Sequence, residues 1–138
     1  MEDVRIVEII QDLWQLEQNH FMLSKKQKLR AKADKLWYSK YLKDQCEVCG
    51  AEGTLQGHHF YYRSSYGHLR YSPENHITLC KSCHFLLHHQ DPKLVEDKII
   101  AHRGKKWLTG LKKQAQEKQK PSYQSVAYYT KVVENLSN

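Results

Sequence analysis

The chain has 138 residues, of which 40% are hydrophobic and 27% are charged, a composition typical of a globular protein with one modest core. No apolar run approaches the roughly 20 residues that a membrane-spanning helix needs. The acidic, periodic start MEDVRIVEIIQDLW is unlike a signal or transit peptide. We therefore expect an intracellular, cytoplasmic protein.

The net charge of +7 is unevenly distributed along the chain. Residues 24–43 sum to +7 and residues 102–120 to +6, whereas residues 44–101 sum to −2 and residues 1–23 to −4. Two basic segments on either side of a less charged centre suit a phosphodiester backbone. For either segment alone, a solvated helix face is an equally good interpretation.

Two helices are predicted before the centre of the chain. Apolar residues at helical spacing predict the first over residues 3–18. Ser24 and Gln27 form the pattern of a capping box, which predicts the start of a second helix. Its exposed faces carry candidate contacts to nucleic acid at Lys28, Arg30, Lys32 and Lys35.

The centre of the chain has a different character. The segment CEVCGAEG (46–53) predicts a cysteine knuckle, and LQGHHFYY (55–62) predicts a short strand. A polar loop, a second strand HITLC (76–80) and a helix KSCHFLLHH (81–89) follow. The predicted order is therefore knuckle, strand, loop, strand and helix.

The rest of the chain is predicted to be helical. Asp91 and Pro92 suit an N-cap and a first helical position, and this helix is expected to stop at Gly104. A basic stretch interrupted at Gly110 and a last helix over 123–136 complete the chain. The predicted fold class is α+β, in a single domain 1–138 with an N-terminal helical arm (1–45), a core (46–90) and a C-terminal helical arm (91–138).

The four cysteines form two matched CxxC pairs, Cys46 with Cys49 and Cys80 with Cys83. Two such knuckles supply the four thiolates of a tetrahedral site, and in an intracellular protein they favour a metal over disulfides. Because four sulfur ligands leave no open position, the site is expected to be structural. Zn²⁺ fits best, and iron is the main alternative.

The histidines need a separate explanation. His84 and His88 are four residues apart on the predicted helix, so both imidazoles project from one face and can bind one metal ion. His58 and His59 are adjacent on a strand and point in different directions. One of them can be a third ligand while the other acts on a neighbouring water as general base.

This part of the chain resembles the HNH endonucleases. The residues that carry the resemblance are the pair His58–His59, then Asn75, His84 and His88. The four cysteines resemble the zinc-stabilised subgroup of that family, and the resemblance covers residues 46–89. It implies a ββα-metal fold in which His59 is the general base and Asn75 holds the loop that carries it. His58, His84 and His88 would then bind the catalytic ion.

The resemblance also implies a reaction, which is hydrolysis of DNA. The implied ion is Mg²⁺ or Mn²⁺, with Zn²⁺ or Ni²⁺ as alternatives, and it would stabilise the departing 3′ oxygen. His76 stands where the family usually has an apolar residue, and it is expected to face solvent.

Further contacts to DNA, expected to be double-stranded, are predicted at Arg63 and Arg70 in the loop and at Lys105 and Lys106. A homodimer, or a partner protein bound through the helical arms, is a further expectation.

Two other functions compete with the nuclease. One is a non-catalytic, zinc-stabilised DNA-binding module, and the other is an accessory subunit of a larger nuclease or packaging complex.

Overall fold

The structure is a computed structural model that describes residues 7–14 and 23–138. Residues 7–14 lie in a first helix, α1, and the remainder of the span predicted for it, 3–18, lies outside the described residues. Helix α2 follows at Lys25–Lys40. The Ser24 side chain accepts a hydrogen bond from the Gln27 amide at 3.2 Å, and the Gln27 side chain accepts one from the Ser24 amide at 2.9 Å. The predicted capping box is thus confirmed.

A two-stranded antiparallel hairpin and a helix form the centre of the molecule. Strands β1 (Leu55–His59) and β2 (His76–Cys80) pair with Leu55 opposite Cys80 and His59 opposite His76. Two 3₁₀ turns, Gly67–Leu69 and Pro73–Asn75, lie in the loop between the strands. Helix α3 (Lys81–His89) begins directly after β2. The predicted order of strand, loop, strand and helix is confirmed.

Three more helices complete the chain. Helix α4 (Pro92–Arg103) is capped by Asp91, whose carboxylate accepts a hydrogen bond from the Leu94 amide at 3.1 Å. Helix α5 (Lys105–Ala115) runs through Gly110 without a break, so the predicted interruption there is wrong. One glycine costs a helix only about 1 kcal/mol, which packing outweighs. A 3₁₀ turn (Pro121–Gln124) leads into α6 (Val126–Ser137).

The hairpin is covered on both faces, and this is why four of the five residues of β2 are buried. On one face Ile77 and Leu79 pack with Leu87 of α3 and with Val95 and Ile99 of α4. Helix α2, which also packs against α6, lies on the other face. The protein is therefore a mostly helical α+β fold built around a ββα unit.

The expectation that His76 faces solvent is wrong. Its side chain is buried beneath α2, where Nε2 donates to the carbonyl oxygen of Tyr38 at 3.0 Å and the ring lies 4.6 Å from that of Trp37. A Cβ atom at Gly57, in β1, would lie 2.5 Å from His76 Nε2 and 3.0 Å from the Tyr38 oxygen. Only glycine therefore allows α2 to approach the hairpin this closely.

The carboxylate of Glu47 links the cysteine knuckle to the rest of the fold. Its side chain is 1% exposed and pairs with the guanidinium of Arg103, at the end of α4, and with Lys43. It also accepts a hydrogen bond from the Thr78 amide in β2 at 2.6 Å. Burial raises the pKa of Glu47, but these hydrogen bonds outweigh burial, so the net pKa is lowered.

In the described parts of the chain, no helix has the length and apolar character needed to cross a membrane.

Candidate active site

The four cysteines converge on one point. Their sulfur atoms all lie within 4.8 Å of one another, and the Sγ atoms of Cys49 and Cys80 are 3.6 Å apart. The first knuckle turns tightly because the Gly50 amide donates to the Cys46 carbonyl at 2.9 Å and Gly50 has a φ of +74°. The second knuckle lies at the start of α3, where the Cys80 sulfur accepts from the Cys83 amide.

The donor set of this cluster suits a zinc ion. Burial raises the pKa of Cys46, but hydrogen bonds from the backbone of Cys49, Cys80 and Val48 lower it to about 7. Burial and the neighbouring thiols raise the pKa of Cys83, since further negative charge so close by is unfavourable unless a cation offsets it. Four closely spaced sulfurs in two CxxC knuckles are the arrangement that a structural Zn²⁺ site requires.

Three histidines form a second cluster, which we call the histidine triad: His58, His84 and His88. One ring nitrogen of each lies within 4.8 Å of the others. The ring centroids are 5.5 Å apart for His58 and His84, 5.0 Å for His58 and His88, and 4.5 Å for His84 and His88. The i, i+4 spacing in α3 places His84 and His88 on one face, and β1 brings His58 to them.

The triad has the properties of a metal site. Nε2 of His58 is buried and has no hydrogen-bond partner among the residues that the structure describes. A buried ring nitrogen without a partner is costly, and a metal ion would satisfy it. Burial and the neighbouring His88 and His84 lower the pKa of His58 to about 3, which keeps its ring neutral as a ligand must be. Three imidazoles favour Zn²⁺, Ni²⁺ or a similar ion over Mg²⁺, which prefers oxygen ligands.

His59 lies in a different environment from the triad. It is 4% exposed, and its Nε2 lies 2.8 Å from the carbonyl oxygen of Arg70. Because a carbonyl oxygen only accepts hydrogen bonds, Nε2 carries the proton and Nδ1 carries the lone pair. Burial lowers the pKa of His59 to about 4, so the ring is neutral at neutral pH.

Helix α2 supplies two contacts to His59 that the sequence did not reveal. The ring of Trp37 stacks on that of His59 with centroids 4.1 Å apart and planes 10° apart. The hydroxyl of Tyr38 lies 3.4 Å from His59 Nδ1, and burial raises the pKa of this tyrosine. The orientation of His59 is therefore determined by a helix outside the ββα unit.

Asn75 connects the two ends of the loop between the strands. Its side chain is fully buried and accepts a hydrogen bond from the Tyr61 amide at 2.7 Å. It donates to the carbonyl oxygens of Tyr61 at 3.1 Å and Leu69 at 3.2 Å. These bonds hold the chain immediately after His59 in one conformation.

Arg70, a predicted phosphate contact, pairs with a carboxylate of α2. Its guanidinium forms a bidentate pair with Asp34 of α2, with N···O distances of 2.8 and 2.6 Å, and is 17% exposed. Asp34 also accepts from the Tyr71 hydroxyl at 2.9 Å. Arg70 thus positions the loop carbonyl that binds His59. Asp34 is the only acidic residue between 24 and 43, and this isolation is the signal that could have revealed its role.

The other predicted contacts to nucleic acid lie at the surface. Arg63 is half-exposed, with Nη1 3.9 Å from the Asp34 carboxylate. The remaining basic side chains are exposed on two helices, at Lys28, Arg30, Lys32 and Lys35 of α2 and at Lys105 and Lys106 of α5. Their positions leave them accessible to a polyanion.

The structure thus combines a ββα unit with a four-sulfur cluster that suits a structural zinc ion and a triad of histidines that could hold a second ion. Residues 46–90 match the family model described as HNH endonuclease. This segment is therefore an HNH endonuclease domain with a four-cysteine cluster, and the predicted family is confirmed. Searches of the curated proteins and of the solved structures returned no match to the chain.

Proposed function

We propose that this protein is a metal-dependent endonuclease that hydrolyses phosphodiester bonds in DNA. The observation that carries the proposal is the histidine triad, which places His58 beside two histidines of α3 while its buried Nε2 has no hydrogen-bond partner among the described residues. A DNA-binding module stabilised by the four cysteines has no need of this second cluster. The fold and the family match support the same proposal.

In this proposal the triad holds one divalent ion through His58, His84 and His88. Once bound, the ion supplies a positive charge that stabilises charge on the reacting phosphate and on the departing 3′ oxygen. The three imidazoles are neutral ligands, so they leave the full charge of the ion available. We expect Ni²⁺, Zn²⁺ or a similar ion to bind more tightly than the Mg²⁺ or Mn²⁺ that the family resemblance implies.

His59 is the proposed general base. The Arg70 carbonyl fixes the proton on Nε2, so Nδ1 is the atom that accepts a proton from the attacking water. Asn75 and Trp37 are proposed to keep this ring in place, the first through the loop and the second by stacking. Attack by water would leave a 5′-phosphate and a 3′-hydroxyl.

The basic surfaces of α2 and α5, together with Arg63, are proposed to bind the DNA backbone without selecting sequence. Such contacts release counterions, so binding should weaken steeply as salt concentration rises. A homodimer or a protein partner on the helical arms would extend the surface that contacts DNA. It would also determine whether the product is a nick or a double-strand break.

The test is cleavage of supercoiled plasmid by the zinc-loaded protein with Mg²⁺, Mn²⁺, Ni²⁺ or Zn²⁺, beside a reaction containing EDTA. His59→Ala should abolish conversion to open-circle or linear DNA while keeping its zinc. His102→Ala, which changes an exposed histidine of α4, should cleave as the wild type does. Absence of cleavage with every ion, or equal cleavage by His59→Ala, would contradict the proposal.

A further inference from the structure

Helix α3 carries an exposed aromatic pair next to the histidine triad. Phe85 is 53% exposed, and its ring lies 4.8 Å from that of His89 at an angle of 40°. Each residue of the pair follows a triad histidine by one position, so the pair is rotated about 100° around the helix from the metal ligands. An exposed phenylalanine is not informative by itself. Phe85 is informative because it lies beside the histidine triad.

The aromatic pair lines an open depression of about 620 Å³ in the surface. His84 belongs both to this depression and to the triad. Polar side chains that can bind the edge of a base or a phosphate complete the lining, namely Gln56, Lys81, Ser82 and Gln90. An aromatic surface surrounded by amides and a cation is the chemistry that binds a nucleotide through its base.

We propose that this depression binds an unpaired nucleobase of the DNA strand whose phosphate lies at the triad. The inference rests on the proposed function, because the triad locates the phosphate and His84 connects it to the depression. Within a duplex, the two faces of a base are covered by its neighbours. Stacking on Phe85 therefore requires a base that is out of the helical stack.

The proposal names a substrate class. Single strands, and duplexes with a bulge or mismatch, should be preferred to perfect duplex because they expose a base at no unstacking cost. The amides of Gln56 and Gln90 can donate to or accept from any base edge, so the site should favour unpaired bases without selecting one sequence.

A binding measurement tests the proposed base site without depending on cleavage. Zinc-loaded protein is titrated into a single strand containing 2-aminopurine, whose fluorescence falls on stacking, and into the matched duplex. The variants are Phe85→Ala, Phe85→Tyr and the control Val126→Ala, which changes an exposed apolar residue of α6. We expect Phe85→Ala to bind the single strand about tenfold more weakly, without quenching, and the duplex unchanged. Phe85→Tyr and Val126→Ala should behave as the wild type does.

Two results would overturn the inference. One is a wild type that binds single strand and duplex equally, and the other is a Phe85→Ala variant that weakens both to the same extent. If the plasmid is cleaved but Phe85→Ala keeps the single-strand preference, the inference fails and the proposed function stands. If no ion supports cleavage but Phe85→Ala loses the preference, the base site stands and the nuclease proposal fails.

Discussion

The hydroxyl of Tyr38 lies 3.4 Å from Nδ1 of His59. Since Nε2 of this histidine donates to the Arg70 carbonyl, the hydroxyl donates to the lone pair of Nδ1. Tyr38 belongs to α2, which lies outside the segment 46–90 that matches the family model. The helix before the HNH domain therefore contacts the nitrogen that we propose as the base.

This contact predicts the effect of Tyr38→Phe. In the described structure the hydroxyl occupies the lone pair that an attacking water needs, while Trp37 and the Arg70 carbonyl already orient the ring. Removing one long hydrogen bond should raise the single-turnover cleavage rate about two- to fivefold. Tyr41→Phe, at the C-terminal end of the same helix, is the control. A loss of rate beyond tenfold in Tyr38→Phe would mean that the hydroxyl assists the reaction.

Replacement of Gly57 by alanine should separate α2 from the hairpin. The added methyl group would lie 2.5 Å from His76 Nε2, and both the His76 ring and the Tyr38 carbonyl are held by the bond between them. We expect a loss of about 1–3 kcal/mol in the free energy of unfolding, measured with urea. The control is Gly110→Ala, which has open space around its Cβ position and should stabilise α5 by about 0.5–1 kcal/mol. Equal effects of the two substitutions would refute this packing.

Loss of the Glu47 charge should destabilise the fold. Glu47→Gln would leave the Arg103 guanidinium, 15% exposed, without its carboxylate partner. Removing one partner of a largely buried pair costs about 3–5 kcal/mol, and the partial exposure of Arg103 reduces this to about 2–4 kcal/mol. Urea unfolding of the zinc-loaded protein measures this loss of stability. The exposed Glu52→Gln, whose side-chain oxygen can still accept the surface hydrogen bond from Gln45, should change stability by less than about 0.5 kcal/mol.

The two clusters should respond differently to mutation. Cys83→Ser should lower zinc content and lose much of the structure around the ββα unit, because the metal contributes to the folding energy. His84→Ala should retain one zinc ion and the wild-type circular dichroism spectrum but lose cleavage. Zinc assay and circular dichroism on the two variants distinguish these outcomes. A folded, fully active Cys83→Ser protein would contradict the structural role of the cysteine cluster.

Features set by short-range spacing were predictable from the sequence. The i, i+4 interval of His84 and His88, the two CxxC pairs and the Ser24–Gln27 capping box depend on residues close together in the chain. The two strands were also recognisable, because a turn-forming segment separates them. The structure brings the sulfurs together, and it brings His58 to the two helix histidines.

Features that depend on how α2 packs against the hairpin were not predictable. Helical periodicity identifies the apolar face of α2 but does not show which surface that face covers. For this reason the sequence predicts that His76 faces solvent, although α2 buries it. For the same reason the sequence does not reveal that Arg70 pairs with Asp34, which lies 36 residues away in the chain.

The most direct test of the proposed catalytic site is whether the triad binds a second metal ion beside the cysteine-bound zinc. Isothermal titration with Ni²⁺, an ion that imidazoles bind well, of protein that carries one zinc ion per chain measures this stoichiometry. We predict one Ni²⁺ per chain for the wild type and for His102→Ala, and none for His84→Ala. Wild-type protein that binds no Ni²⁺, or His84→Ala protein that binds it equally well, would contradict the assignment of the triad as the catalytic metal site.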